Sequence, residues 1–143
     1  QGAWDVTCLL VQPTSDIVAT DFDGDGKLEI LTFSKFHGDT LAIWHEGQTR
    51  DRYEQVWCDP QKRSFLHALW AADLNGEKCA VIGNRKDGRD LLLVRYVDGE
   101  YTVDVIDHDL GPANCMVYRH DGSDYIVAAY RETDQLALYK VVE

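Results

Sequence analysis

The stretch DFDGDGKLEI, residues 21–30, alternates three aspartates with two glycines and reaches a glutamate just before an apolar run. Counting Asp21 as position 1, Asp23, Asp25 and Glu29 fall at positions 3, 5 and 9, and Lys27 at position 7 offers a backbone carbonyl. Gly24 and Gly26 allow the backbone angles that bend such a loop around an ion. Hard oxygen donors in this number suit Ca²⁺, at about 2.3–2.6 Å, better than Zn²⁺ or Cu²⁺. An EF-hand does not fit, because position 12 is Thr32 instead of a bidentate glutamate and the flanks read as strands. The donor set reads as full, which favours a structural ion over a catalytic one. The alternative is an Asp/Gly-rich turn that holds no metal.

Outward from this loop the chain repeats itself. Aligning Gly24 with Gly76 and Gly122 superposes three units, spaced 52 and 46 residues apart, a period that belongs to propeller blades and similar arrays. Each unit has a first strand (DIVAT, HALWAAD or CMVYR), then a turn, then a second strand (LEILTF, CAVIG or YIVAAY). A polar loop and a third strand follow (TLAIWH, LLLVRY or LALYKVV), and the first two units add a fourth, YEQVWC and YTVDVID. The Asn-Gly and Asp-Gly turns of the second and third units are hairpin signals. Several strands are apolar on both faces, as sheets covered on both sides require.

The expectation is an all-β fold of three four-stranded antiparallel propeller blades, at about residues 16–59, 66–108 and 113–143, in a single domain. Residues 3–11, AWDVTCLLV, have the pattern of a fourth strand and are expected to close the last blade, which in a head-to-tail dimer is that of the partner chain. Propeller rings have about 4–8 blades, so three make half of one. A second copy in a homodimer is expected to supply the rest, with a missing upstream half as the alternative.

The loop of residues 21–29, set between the first two strands of a blade-like unit, resembles the FG-GAP/VCBS repeats of β-propeller proteins, integrin-alpha-like calcium-loop repeats among them. That resemblance implies one structural Ca²⁺ per chain, held by Asp21, Asp23, Asp25, the Lys27 carbonyl and Glu29, where the family more often has aspartate. The corresponding turns DLNGEK and RHDGSD lack the full set, so the second and third units are expected to bind none. The resemblance also brings carbohydrate-binding modules, polysaccharide lyases and adhesion scaffolds into consideration.

The net charge of −11, from 14 basic and 25 acidic side chains, argues against nucleic acid or an anionic membrane as partner. No apolar run approaches the roughly 20 residues of a membrane helix. The start, QGAWDVTCLL, has no signal-peptide pattern and no initiator Met, and is expected to be cut from a longer chain. Four dispersed cysteines, Cys8, Cys58, Cys79 and Cys115, form no CxxC pair, are expected to be buried free thiols and lean towards a reducing, cytoplasm-like compartment.

Chemistry is expected where the polar loops between second and third strands meet the approaches to the first strands, at one end of the ring. This gathers His37, His67, Arg85 and Arg131, with Tyr130, His108 and Asn114 close by. Arg and His around a depression suit an anionic or polyhydroxylated ligand. The leading expectation is a calcium-stabilised module that binds carbohydrate or another polar ligand there. The second is a lyase on uronate-containing glycans, with Arg85 or Arg131 neutralising the carboxylate, His37 or His67 as base and Tyr130 as acid. A protein–protein scaffold is the third. Structural alternatives are salt bridges for the arginines, a core position for His67 and core packing for the four tryptophans; His45 and His120 are given no role.

Overall fold

The structure, a computed structural model, describes residues 2–35, 37–49 and 52–142. Those residues form eleven strands and no helix. β1 (Thr14–Thr20), β2 (Glu29–Ser34), β3 (Thr40–Glu46) and β4 (Tyr53–Cys58) make the first antiparallel sheet, in that order. β5 (Leu66–Leu74), β6 (Glu77–Asn84), β7 (Leu91–Val97) and β8 (Glu100–Asp107) repeat the arrangement. β9 (Pro112–His120), β10 (Ser123–Tyr130) and β11 (Gln135–Lys140) form a third sheet of three strands.

Local chemistry sets the turns. Asn75–Gly76, Asp98–Gly99 and Asp121–Gly122 carry positive φ at both residues and close two-residue hairpins. Type I′ turns need that pair of angles, and Asn/Asp-Gly meets it at little cost.

Alternation then sets the layers. Leu31, Phe33, Leu41 and Ile43 of the first sheet pack against Leu66, Ala80, Ile82, Leu92 and Val94 of the second. The intervening residues of the second sheet, Cys79, Val81 and Leu91, meet Cys115, Ile126, Ala128 and Tyr130 of the third. Successive side chains of a strand point to opposite faces, so the unbroken apolar run of β6 serves two cores at once. Each fully buried Leu, Ile or Phe contributes about 1.5–3 kcal/mol. The first strands are neighbours, with β5 packed beside both β1 and β9. The second and third sheets approach closely at Gly83, where an added Cβ would lie 2.5 Å from the Pro112 carbonyl oxygen and 2.7 Å from Ala68 Cβ. Gly83→Val is therefore expected to cost about 1–3 kcal/mol through overpacking, seen as a lower urea midpoint at unchanged slope.

A β-bulge recurs at the same place in all three units. Register slips between Thr14 and Asp16, between Leu66 and Ala68, and between the partners of Ala129 and Tyr130. Ser34, Asn84 and Tyr130 are thus equivalent, as are Leu31, Val81 and Val127. Leu31 and Val81 each face the next sheet along the row. Val127 faces outward between Met116 and Leu138, which are 43% and 59% exposed. The row therefore ends on the same kind of face with which the two earlier sheets grip their successors. At its other end Ile17, 59% exposed and paired with Thr32, lies on the outer face of the first sheet.

Residues 3–11 form no strand in the single chain, and among the described residues the third sheet has three strands with β11 at its edge, so the expected fourth strand does not close it here. The segment leads into β1, in the sheet at the opposite end of the row from β11. Its Trp4, expected to pack, is 91% exposed. Trp70, at 41%, also departs from the expected core position.

The cysteines divide as well. All four are free; Cys8 and Cys58 are exposed, while Cys79 and Cys115 are buried. Burial pushes the Cys79 and Cys115 thiols up to about 12. A thiol reagent at neutral pH is expected to label two cysteines per native chain and four in denaturant.

Candidate metal centre

The loop from Asp21 to Leu28 joins β1 to β2 and winds on its own carboxylates. Gly26 N–H donates to Asp21 Oδ2 at 3.1 Å, Asp25 N–H to Asp23 Oδ1 at 3.0 Å, and Lys27 N–H to Asp25 Oδ1 at 2.8 Å. Phe22 N–H donates to Glu29 Oε2 at 2.6 Å. Gly24 and Gly26 have φ of 76° and 87°, the left-handed region the bend requires. One oxygen of each carboxylate thus holds the loop and the other is left for a second partner.

Those second oxygens carry the site. Asp21 Oδ1 and Glu29 Oε1 are buried and accept no hydrogen bond. Glu29 is 0% exposed. Donor atoms of Asp23, Asp25, Glu29 and His45 all lie within 4.8 Å of one another. His45 Nε2 is 3.1 Å from Asp25 Oδ2 and 3.4 Å from Glu29 Oε1. The first contact is a hydrogen bond and the second an ion-pair contact.

Burial pushes the Glu29 carboxyl above the usual carboxylate range, with Asp23 and Asp21 adding to it. The Lys27 N–H, and then His45, hold Asp25 below that range. The hydrogen bond to Glu46 O, followed by Asp25 and Glu29, raises His45. Four carboxylates against one imidazole leave a surplus of negative charge, and two buried oxygens lack a hydrogen bond. A divalent cation fits both features, and Asp21, Asp23, Asp25 and Glu29 are the hard donors that would hold it.

Of the expected ligands, Asp23, Asp25 and Glu29 converge. Asp21 lies outside the 4.8 Å group but aims a buried free oxygen, and Lys27 contributes its N–H to the loop. His45 was missed by sequence reading. Ile30 pairs with Trp44 across β2 and β3, so the next step of the ladder sets His45 beside Glu29. The strand register was the only signal. Asp23, Asp25 and His45 also border a groove of about 640 Å³ whose walls include Trp57, Tyr96 and Tyr101.

A second cluster gathers where the polar loops meet the approach to β5. The His37 ring stacks on Phe65 at 4.3 Å and 6°, and on His67 at 5.2 Å and 11°. Arg85 and Lys86 each lie 4.9 Å from the Phe65 ring centre. His37 and Phe65 have φ of 48° and 64°, strained for side chains of this size. Backbone hydrogen bonds from Arg85 N–H to Phe65 O and from Leu66 N–H to Gly38 O hold the turn. His67 is the bulged residue of β5, and its Nδ1 bonds to Ala113 O at 2.8 Å. Bulges re-aim side chains in this way. Ser15, Asp16, His37 and His67 share a cavity of about 170 Å³.

Three expectations for this end change. Tyr130 is 1% exposed in the second core, its hydroxyl bonded to Tyr139, which donates to Asp107, so it has no route to a substrate as an acid. Arg85 is tied to Glu132 by an ion pair. His108 and Asn114 do not join the stack: His108 pairs with Asp109, and Asn114 accepts from Cys115 N–H. Arg131 is exposed beside Glu132. Phe65 is the member that sequence reading did not single out.

No family model matches the chain, and no curated protein matches it.

Proposed function

We propose that this chain is a calcium-stabilised β-propeller module, half of a six-bladed ring that a second copy completes, and that it binds a polar or anionic ligand such as a glycan without catalysing a reaction on it. The observation that carries the calcium reading is the pair of buried carboxylate oxygens, Asp21 Oδ1 and Glu29 Oε1, that accept no hydrogen bond inside a loop of four carboxylates. A buried charge without a partner is costly, and a bound cation removes that cost. The ion acts as a clip on the β1–β2 hairpin.

The equivalence of Leu31, Val81 and Val127 supports the ring. Sheet packs on sheet in one direction along the row, and the free outer faces of the third and first sheets are the two halves of that same contact. The His37–Phe65–His67 stack, with Arg85 and Lys86 on its edge, supports a ligand site at the end where the first strands meet. Flat rings and fixed cations suit sugar faces and carboxylates. A lyase needs neutralising cation, base and acid around one gap. Arg85 is tied to Glu132 and packs on the Phe65 ring, and Tyr130 is buried, so the binding reading is favoured.

Native mass spectrometry with and without a chelator tests the proposal. The expected species is a dimer with one Ca²⁺ per chain. A monomer that retains no ion counts against both halves of it.

A further inference from the structure

We infer that the centre is a mixed oxygen–nitrogen site in which His45 Nε2 is a direct ligand, so that it takes a divalent transition ion such as Co²⁺, Mn²⁺ or Zn²⁺ as well as Ca²⁺. This rests on the reading above that the loop holds a divalent cation, and it adds which donors reach the ion and which ions they select.

Three observations converge on His45. Its Nδ1 lies 2.8 Å from the Glu46 carbonyl oxygen, which only accepts, so Nδ1 carries the hydrogen. Nε2 is the atom turned to the carboxylates, hydrogen-bonded to Asp25 Oδ2, and an ion that displaces its proton meets the Nε2 lone pair at that place. A ring nitrogen donating to a backbone carbonyl while the other faces a cluster of carboxylates is how metal-binding histidines are oriented. Second, the opposing oxygen is committed to nothing else: Glu29 is 0% exposed and its Oε1, 3.4 Å from Nε2, accepts no hydrogen bond. Third, both groups sit on paired strands, His45 in β3 and Glu29 in β2, so their approach is fixed by the ladder instead of by a loose loop.

Donor chemistry then decides the ion. Ca²⁺ takes oxygen and gains little from an imidazole, whereas Mn²⁺, Co²⁺ and Zn²⁺ accept carboxylate and imidazole together. Asp23, Asp25, Glu29 and His45 supply four donors within 4.8 Å.

The test strips the full chain with a chelator and titrates it separately with CaCl₂, CoCl₂ and ZnCl₂, for the parent protein and His45→Gln, by calorimetry and, for Co²⁺, visible absorption. The expected result is one Co²⁺ per chain in the parent, with d–d bands. His45→Gln should lose at least about tenfold in Co²⁺ and Zn²⁺ affinity while its Ca²⁺ affinity holds. Equal Co²⁺ affinity and an unchanged band in His45→Gln, with Ca²⁺ bound by both, overturns this inference alone. No ion bound by the parent overturns the cation reading beneath it. Pulsed electron paramagnetic resonance on the Mn²⁺-loaded parent needs no variant: an imidazole nitrogen coupling supports ligation by His45, and its absence overturns it.

Discussion

Restoring calcium to the chelated protein is expected to raise its melting temperature by roughly 10 °C. An ion that binds only the folded state stabilises by RT ln(1 + [L]/Kd), about 2.7 kcal/mol at a hundredfold excess over Kd. In a chain of 143 residues each kcal/mol moves the midpoint by roughly 3–4 °C. The informative variant is Asp23→Asn. Its amide oxygen still accepts from Asp25 N–H, so the turn keeps its geometry while a charge is lost. In chelator, removing one of four crowded carboxylates relieves repulsion, so the variant should melt no lower than the parent. In calcium the response should collapse to a few degrees. These opposite signs separate a metal site from a merely acidic turn. An equal response in both proteins, or none in either, sinks the calcium clip. Glu29→Ala is less clean, because it also removes the acceptor of Phe22 N–H.

The second large effect concerns assembly. Val127→Arg is expected to turn a dimer into a monomer, read by sedimentation equilibrium at micromolar concentration. Val127 lies at the centre of the outward face of the third sheet, paired with Met116 on one side and Leu138 on the other. It belongs to neither core, so the fold of the single chain should survive. A guanidinium placed in an apolar contact without a partner costs several kcal/mol, enough to abolish a standard interface. The contact is head-to-tail, so Ile17→Arg on the first sheet's outer face should dissociate the dimer as well, although the two residues sit on sheets at opposite ends of the row. Dimers that persist in both variants would place the contact elsewhere. A parent that is monomeric at every concentration would remove the second copy from the proposal.

Much of this protein was decided by residues close together in the chain. Asn75–Gly76, Asp98–Gly99 and Asp121–Gly122 adopt the angles their hairpins need, because those angles depend on little beyond the two residues themselves. The Asp21–Glu29 loop closes on its own carboxylates for the same reason: donors two to seven residues away are within reach whatever the rest of the chain does. Doubly apolar β6 had to be covered on both faces, and it is. The spacing of the three units, read from Gly24, Gly76 and Gly122, matched three antiparallel sheets.

What tertiary structure decided were the contacts set by register and by which element sits beside which. His45 joins the carboxylates because β3 pairs with β2 in one register, and a slip of one residue would turn it to the other face. Tyr130 reads as a polar loop residue but lies on the inward face of β10, where the second core closes over it. His67 leaves the core pattern because a bulge re-aims it, and Phe65 joins His37 only because the strained turns at both residues bring their rings together. Residues 3–11 carry the pattern of a strand, but a strand needs a neighbouring edge. The edge they match, on β11, belongs to the sheet at the far end of the row, so local pattern alone could not make the pair.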